Sequence, residues 1–423
     1  MVLKELFSGD GIKIFNIKED KFKTNTINVF FVDNLSRDTV AKNALMMAVL
    51  KRGTNKYPKT LELEKRMDEL YGLGFGCDIY KKGETNVLQF YAGVIHDEFA
   101  IDNENLIKEA FSFLNDIILN PYKVNGLFKE EYVETEKSNL VKLINSKIND
   151  KIYYANQSLI ENMCKDELYG IYEYGKVEDY GNIKNDDLVK NYERMLKSMP
   201  MYIFVSGDVC DDTILNCTEY YRNLKRDNLI KVEVFSQKKS VLEEKVIIES
   251  MDIVQDKFCM GFRTNIEPYD DEYAYLMVYD SILGGGISSR LFNNIREKNS
   301  LCYYIRSNLH RYKGIMVVST GIESKNKDIV RKMILNEIED MKSGNITDLE
   351  IDTAKKSLQN ALEALKDKQQ GMVDFNFTNM LFNFKQDIND FMRLINSAKR
   401  EDIVRVSKNI ILDTEYVLTS KSK

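Results

Sequence analysis

The chain reads the same order of elements twice, and that repetition limits the folds open to it more than any single motif does. In the first half, Lys23 to Asn34 (KTNTINVFFVDN) alternates like a strand, and a helix ending at Gly53 follows. A second helix (LELEKRMDELYGLGFG) then leads into two strand-like runs, CDIYKK and NVLQFYAGVI. The second half repeats the order: strand DKFCMGFRTN, helix DEYAYLMVYDSILGGG, helix SSRLFNNIREKN, then strands CYYIRSNLH and GIMVVSTGIES. Each half continues into a long helical region with apolar residues three and four apart. Each closes on a helix and strand, NIKNDDLVKNYERMLKSMPMYIFVSGD in one and SAKREDIVRVSKNIILDTEYVLTS in the other. The class expected is α+β, built from two homologous units that each pack helices on a mainly antiparallel sheet. The units fall at 1–224 and 246–423, with a charged join at 225–245 where neither pattern holds.

Composition excludes several functions. The 423 residues carry a formal charge of −6, with lysines interleaved among acids, which opposes a nucleic-acid surface. No apolar run approaches the ~18 residues needed to span a bilayer, and the first residues lack a signal-peptide core. Cys77, Cys164, Cys210, Cys217, Cys259 and Cys302 are scattered without a Cys-x-x-Cys pair. That distribution suits free thiols in a reducing cytoplasm better than a disulfide framework. Only two histidines occur: His96, followed by Asp97 and Glu98, is weak evidence for a metal, and His310, in a strand-to-turn segment, reads as structural.

The segment Asp280 to Arg306, DSILGGGISSRLFNNIREKNSLCYYIR, is the richest in chemistry. Gly284, Gly285 and Gly286 end one helix, Ser288 and Ser289 can cap the next, and Arg290 to Lys298 has helical spacing. Arg296 then lies near a helix end and Tyr303 at the start of a strand, so both are expected to project into a cleft beside the glycines. A guanidinium and a phenol together suit a peptide carbonyl becoming an oxyanion.

LGGGISSRLFNNIREKNSLCYYI is similar to the C-terminal-domain signature of the pitrilysin/insulinase metallopeptidase family, which includes mitochondrial processing peptidase and bacterial relatives. The resemblance extends over essentially the whole chain and implies two clam-like halves around a cleft. In that family an Arg and a Tyr seven positions apart bind the substrate backbone, and Arg296 and Tyr303 match the spacing. The family's His-x-x-Glu-His zinc helix corresponds to NALMMAVLKRGTNKYPKT. Aligned on Gly53-Thr54, the two histidines become Ala44 and Ala48, the glutamate base becomes Met47, and the third ligand falls near Lys142 and Leu143. Zinc catalysis needs three ligands and a base, so no metal site is expected on this chain.

The resemblance implies the non-zinc subunit of a heterodimeric peptidase. A paralogous partner would carry His-x-x-Glu-His and zinc, and Arg296, Tyr303 and the three glycines would grip an extended peptide that adds to a sheet edge of that partner. Two alternatives stay open: a non-catalytic scaffold of the same fold, and an enzyme using other chemistry, for which the sequence offers no convincing base.

Overall fold

The computed structural model describes residues 2–101, 105–233, 239–266 and 268–421. It contains two compact units, one formed by 1–145, 171–234 and 368–382, the other by 146–170, 235–367 and 383–423. The first unit holds β1 (Val2–Gly9), β2 (Ile12–Lys18), β3 (Thr24–Asn34), β4 (Gly74–Lys82), β5 (Thr85–Ile95), a short hairpin β6 (Lys123–Val124) and β7 (Leu127–Phe128), and β8 (Met201–Gly207). Six of these make one sheet in the order β1-β2-β8-β3-β5-β4, antiparallel except for the β2–β8 pair.

The sequence reading passed over the β1–β2 hairpin. Its signal is Asp10-Gly11 between strand-like runs; both residues have positive φ (48° and 71°), as a two-residue type I′ turn requires. β3 is buried along nearly its whole length because both of its faces are covered. Ile27, Val29 and Phe31 join a core with the helices Val40–Leu50, Leu106–Leu119 and Asn185–Ser198. On the other face, Phe30 and Val32 pack against the helix Gln369–Phe382, where the Phe30 and Phe377 rings stack at 4.0 Å. Lys82, itself buried, anchors that helix through Asp374 at 2.8 Å and Thr378 at 2.7 Å.

The second unit holds β9 (Lys245–Met251), β10 (Asp256–Arg263), β11 (Cys302–His310), β12 (Ile315–Ile322) and β13 (Ile411–Ser420). They order as β11-β12-β10-β13-β9, with β9 parallel to β13 and the rest antiparallel. The helix Lys151–Met163 lies on this sheet, burying Ala155, Leu159 and Met163 against Cys259, Val317 and Tyr416. Glu167, just beyond it, is the centre of a buried ion cluster. Its carboxylate accepts from Arg263 at 2.7 Å and Lys313 at 2.6 Å, and Arg263 also bonds Asp413 at 2.8 Å.

The compact units therefore do not follow the division at 224 and 246. Residues 146–170 belong with the second sheet and 368–382 with the first. Helical periodicity says that a face is buried, not which sheet buries it.

Candidate functional site

The helix Val40–Leu50, where the zinc motif would lie, is apolar core. Ala44, Met47 and Ala48 are 2%, 1% and 8% exposed and pack among the hydrophobic residues of the first unit. The Met47 carbonyl accepts from the Cys77 thiol at 3.2 Å, and burial pushes that thiol's pKa upward. Beneath the helix a buried polar network fixes its position: Asn43 donates to Asp33 at 3.0 Å and to Asn86 at 2.8 Å, and Arg194 forks onto Asp33 at 2.6 and 3.1 Å. Methyl groups and one thioether cannot hold and activate a zinc-bound water, so these residues do not fit the metal. Among the described residues, no group of three or more His, Cys, Asp or Glu is arranged to bind an ion.

Lys142 and Leu143 are both exposed on the helix Glu130–Ser146. The inward acid of that helix is Glu136, on one buried stripe with Tyr132, Val133 and Leu140, and it pairs with Arg52 at 3.4 Å. The i, i+4 spacing of Tyr132, Glu136 and Leu140 is the signal that marks it. A single inward carboxylate already balanced by a guanidinium still makes no zinc site. Introducing Ala44→His, Met47→Glu and Ala48→His together is accordingly expected to yield well under one zinc per chain by elemental analysis, with a lowered melting temperature, because a glutamate at 47 would be buried. Stoichiometric zinc in a folded variant would refute this.

The other half of the expected site is built in the second unit. Helix Glu272–Leu283 stops at Gly284, whose carbonyl accepts the Ser307 N–H at 3.0 Å; a Cβ there would lie 2.6 Å from that nitrogen, so only glycine lets the segment meet β11. Gly285 and Gly286 are exposed. Ser289 does not cap the next helix as an acceptor; its hydroxyl donates to the Gly286 carbonyl at 2.6 Å. The stretch expected to be an ordinary helix is a π-helix over Phe292–Glu297, with the Lys298 N–H bonded to Asn293 five residues back. Such turns re-aim side chains and frequently occur at functional sites.

Arg296 leaves this turn 40% exposed, its guanidinium 4.7 Å from the Phe292 ring centre and 3.5 Å from Glu297. Tyr303 is 62% exposed at the irregular start of β11, where the pairing with β12 shifts between Cys302 and Tyr304. Among the described residues, neither the Arg296 guanidinium nor the Tyr303 hydroxyl has a hydrogen-bond partner, so both donors are open to a ligand. They do not line the concavity next to the glycines. That cavity, about 320 Å³, is lined by Ser281, Ser288, Arg290, Asn294 and Glu350 among others, and Arg290 is tied to Glu350 at 2.6 Å.

Sequence reasoning also missed Asp280, whose carbonyl receives the N–H groups of Gly284 and Gly285. Burial pushes its carboxyl up to about 6, with the Ser307 hydroxyl pulling the other way. A carboxyl raised above its unfolded value favours folding only while protonated. Its contribution is full below about pH 4 and is lost as pH climbs through 6, a cost on the order of 2–3 kcal/mol. Asp280→Asn is therefore expected to raise the melting temperature more at pH 8 than at pH 5; an equal shift at both would show that Asp280 is ionised throughout.

Residues 182–358 match the family model for the peptidase M16 inactive domain. The chain is 31% identical over 408 residues, 96% of each chain, to the probable inactive metalloprotease YmfF of Bacillus subtilis. Among solved structures, a conserved protein from Enterococcus faecalis superposes with TM-score 0.90 at 28% identity, covering 98% of this chain and 97% of that one. A peptidase M16 inactive domain from Pseudomonas fluorescens shares the fold, with TM-score 0.81 at 15% identity over 100% and 99% of the two chains.

Proposed function

From the premise that this chain belongs to the pitrilysin/insulinase (M16) metallopeptidase family as an inactive homologue, we propose that it is the peptide-gripping subunit of a two-chain peptidase. The observation that carries the proposal is an asymmetry within one molecule. The positions of the metal motif are filled with apolar side chains and sealed in the core, whereas Arg296 and Tyr303 stand exposed with donors free of any hydrogen bond within the described residues. On this reading Arg296 and Tyr303 bind the backbone of an extended peptide, and the hydrolytic machinery with its zinc resides in a paralogous partner. Gly285 and Gly286 would let a peptide main chain approach closely.

Among the described residues, no helix is long and apolar enough to cross a membrane. No disulfide joins the cysteines, and the location we propose is the bacterial cytoplasm. The test is purification of the tagged chain from its native cells, with assay of the complex for zinc and for cleavage of an unstructured peptide. Recovery of a zinc-bearing paralogue whose activity depends on this chain is expected. A stable complex that cleaves nothing would make the protein a scaffold instead.

A further inference from the structure

The two units differ at one sheet edge. In the first, β2 runs parallel to β8 and its outer edge is closed by β1, antiparallel, through the Asp10-Gly11 turn. In the second, β9 repeats the place of β2, parallel to β13 over seven uninterrupted residues, yet it is the last strand of its sheet. Among the described residues, nothing bonds to its outer edge.

Natural edge strands are blunted by bulges, charges or proline. β1 has a register shift between Glu5 and Phe7, β11 has one between Cys302 and Tyr304, and β4 opens with glycines and ends in two lysines. β9 has no shift and no proline. Its outward residues on one face are Val246 and Ile248, 56% and 63% exposed, and Leu242 and Val254 beyond its ends are exposed too.

The sequence of β9 also fits itself. Turned antiparallel about Ile247, a second β9 sets Val246 opposite Ile248 on the open face, and Lys245 opposite Glu249 on the other. Glu249 is already oriented there by the Tyr154 and Tyr416 hydroxyls. Registers centred on Val246 or Ile248 put Lys245 opposite an apolar side chain instead. Apolar pairs and opposite charges directly across antiparallel strands are the favourable combinations.

We propose that β9 is a self-association edge: two copies of this chain join their five-stranded sheets through antiparallel β9–β9 pairing centred on Ile247. The contact is isologous, as a two-fold dimer requires. It is independent of the peptide-gripping reading, because it uses the sheet edge opposite β11.

The test uses the full chain in a Cys210→Ser background, which removes the exposed native thiol. Sedimentation should show a concentration-dependent dimer. Ile248→Lys, at an exposed position, should shift it to monomer while circular dichroism stays unchanged. Val246→Cys with Ile248→Cys should form a disulfide-linked dimer under mild oxidation. Either cysteine alone should not, since each then faces an apolar residue of the other copy. Monomer at every concentration would overturn the proposal. So would a dimer indifferent to Ile248→Lys, or crosslinking by either single cysteine.

Discussion

Glu167→Ala is expected to destabilise the protein by about 3–5 kcal/mol, the range for removing one partner of a buried ion pair. Glu167 is the acceptor that Arg263 and Lys313 share, and both cations are nearly inaccessible to water. Asp413 would still hold the Arg263 Nε, but the fork of Arg263 and the Lys313 ammonium would lose the carboxylate facing them. The same cluster predicts acid sensitivity. Burial alone would raise the Glu167 carboxyl, yet the hydrogen bonds from Arg263 and Lys313 outweigh it and hold the group down at about 2. A carboxyl lowered from about 4.5 contributes stability that is fully present above pH 4.5 and is lost as pH falls toward 2, on the order of 3 kcal/mol. Chemical denaturation at pH 7 and pH 3 checks both statements. Wild type should lose stability between these values through this group, whereas Glu167→Ala starts lower and falls less. Equal loss in both proteins would place the acid sensitivity elsewhere.

The placement of Glu167 also shows where sequence reading stops. The duplicated order of strands and helices is legible because period-2 and period-3.6 patterns are local, and strands such as Thr24–Asn34 and Asp256–Arg263 emerge close to where alternation puts them. The assignment of 146–170 to the second sheet is not legible. It rests on Leu159 and Met163 meeting β10, and on an ion pair between residues 96 positions apart. The empty zinc motif was readable residue by residue, since histidine cannot be mistaken for alanine. The inward turn of Glu136 needed helix phase as well as an alignment. At Arg296 the sequence gives a helical pattern, but the π-turn depends on Asn293 and Lys298 bonding across five residues, which no spacing rule marks.

In the two-chain peptidase proposed above, Arg296→Ala should reduce kcat/KM by roughly 10²–10³ while leaving this chain folded and bound to the proposed partner. The first half of that expectation follows from what an oxyanion donor contributes when it is removed in a water-excluded site. The second follows from the structure: Arg296 is 40% exposed, and its contacts are the Phe292 ring and a surface approach to Glu297. A surface pair of that kind contributes little to stability. Tyr303→Phe removes a single hydroxyl from an exposed ring, so it should lower turnover by a smaller factor with no change in melting temperature. The kinetic pattern discriminates between roles. Donors used only as the carbonyl becomes tetrahedral lower kcat and kcat/KM together, whereas donors that merely hold the peptide raise KM at constant kcat. Arg296→Lys is the sharper variant, because an ammonium keeps the charge but not the planar fork. If it behaves like alanine, geometry at the carbonyl matters; if it restores the rate, charge alone does. A complex that cleaves at the wild-type rate with Arg296→Ala and Tyr303→Phe combined would remove the gripping role and leave the open donors of β11 and its preceding turn without a peptide to bind.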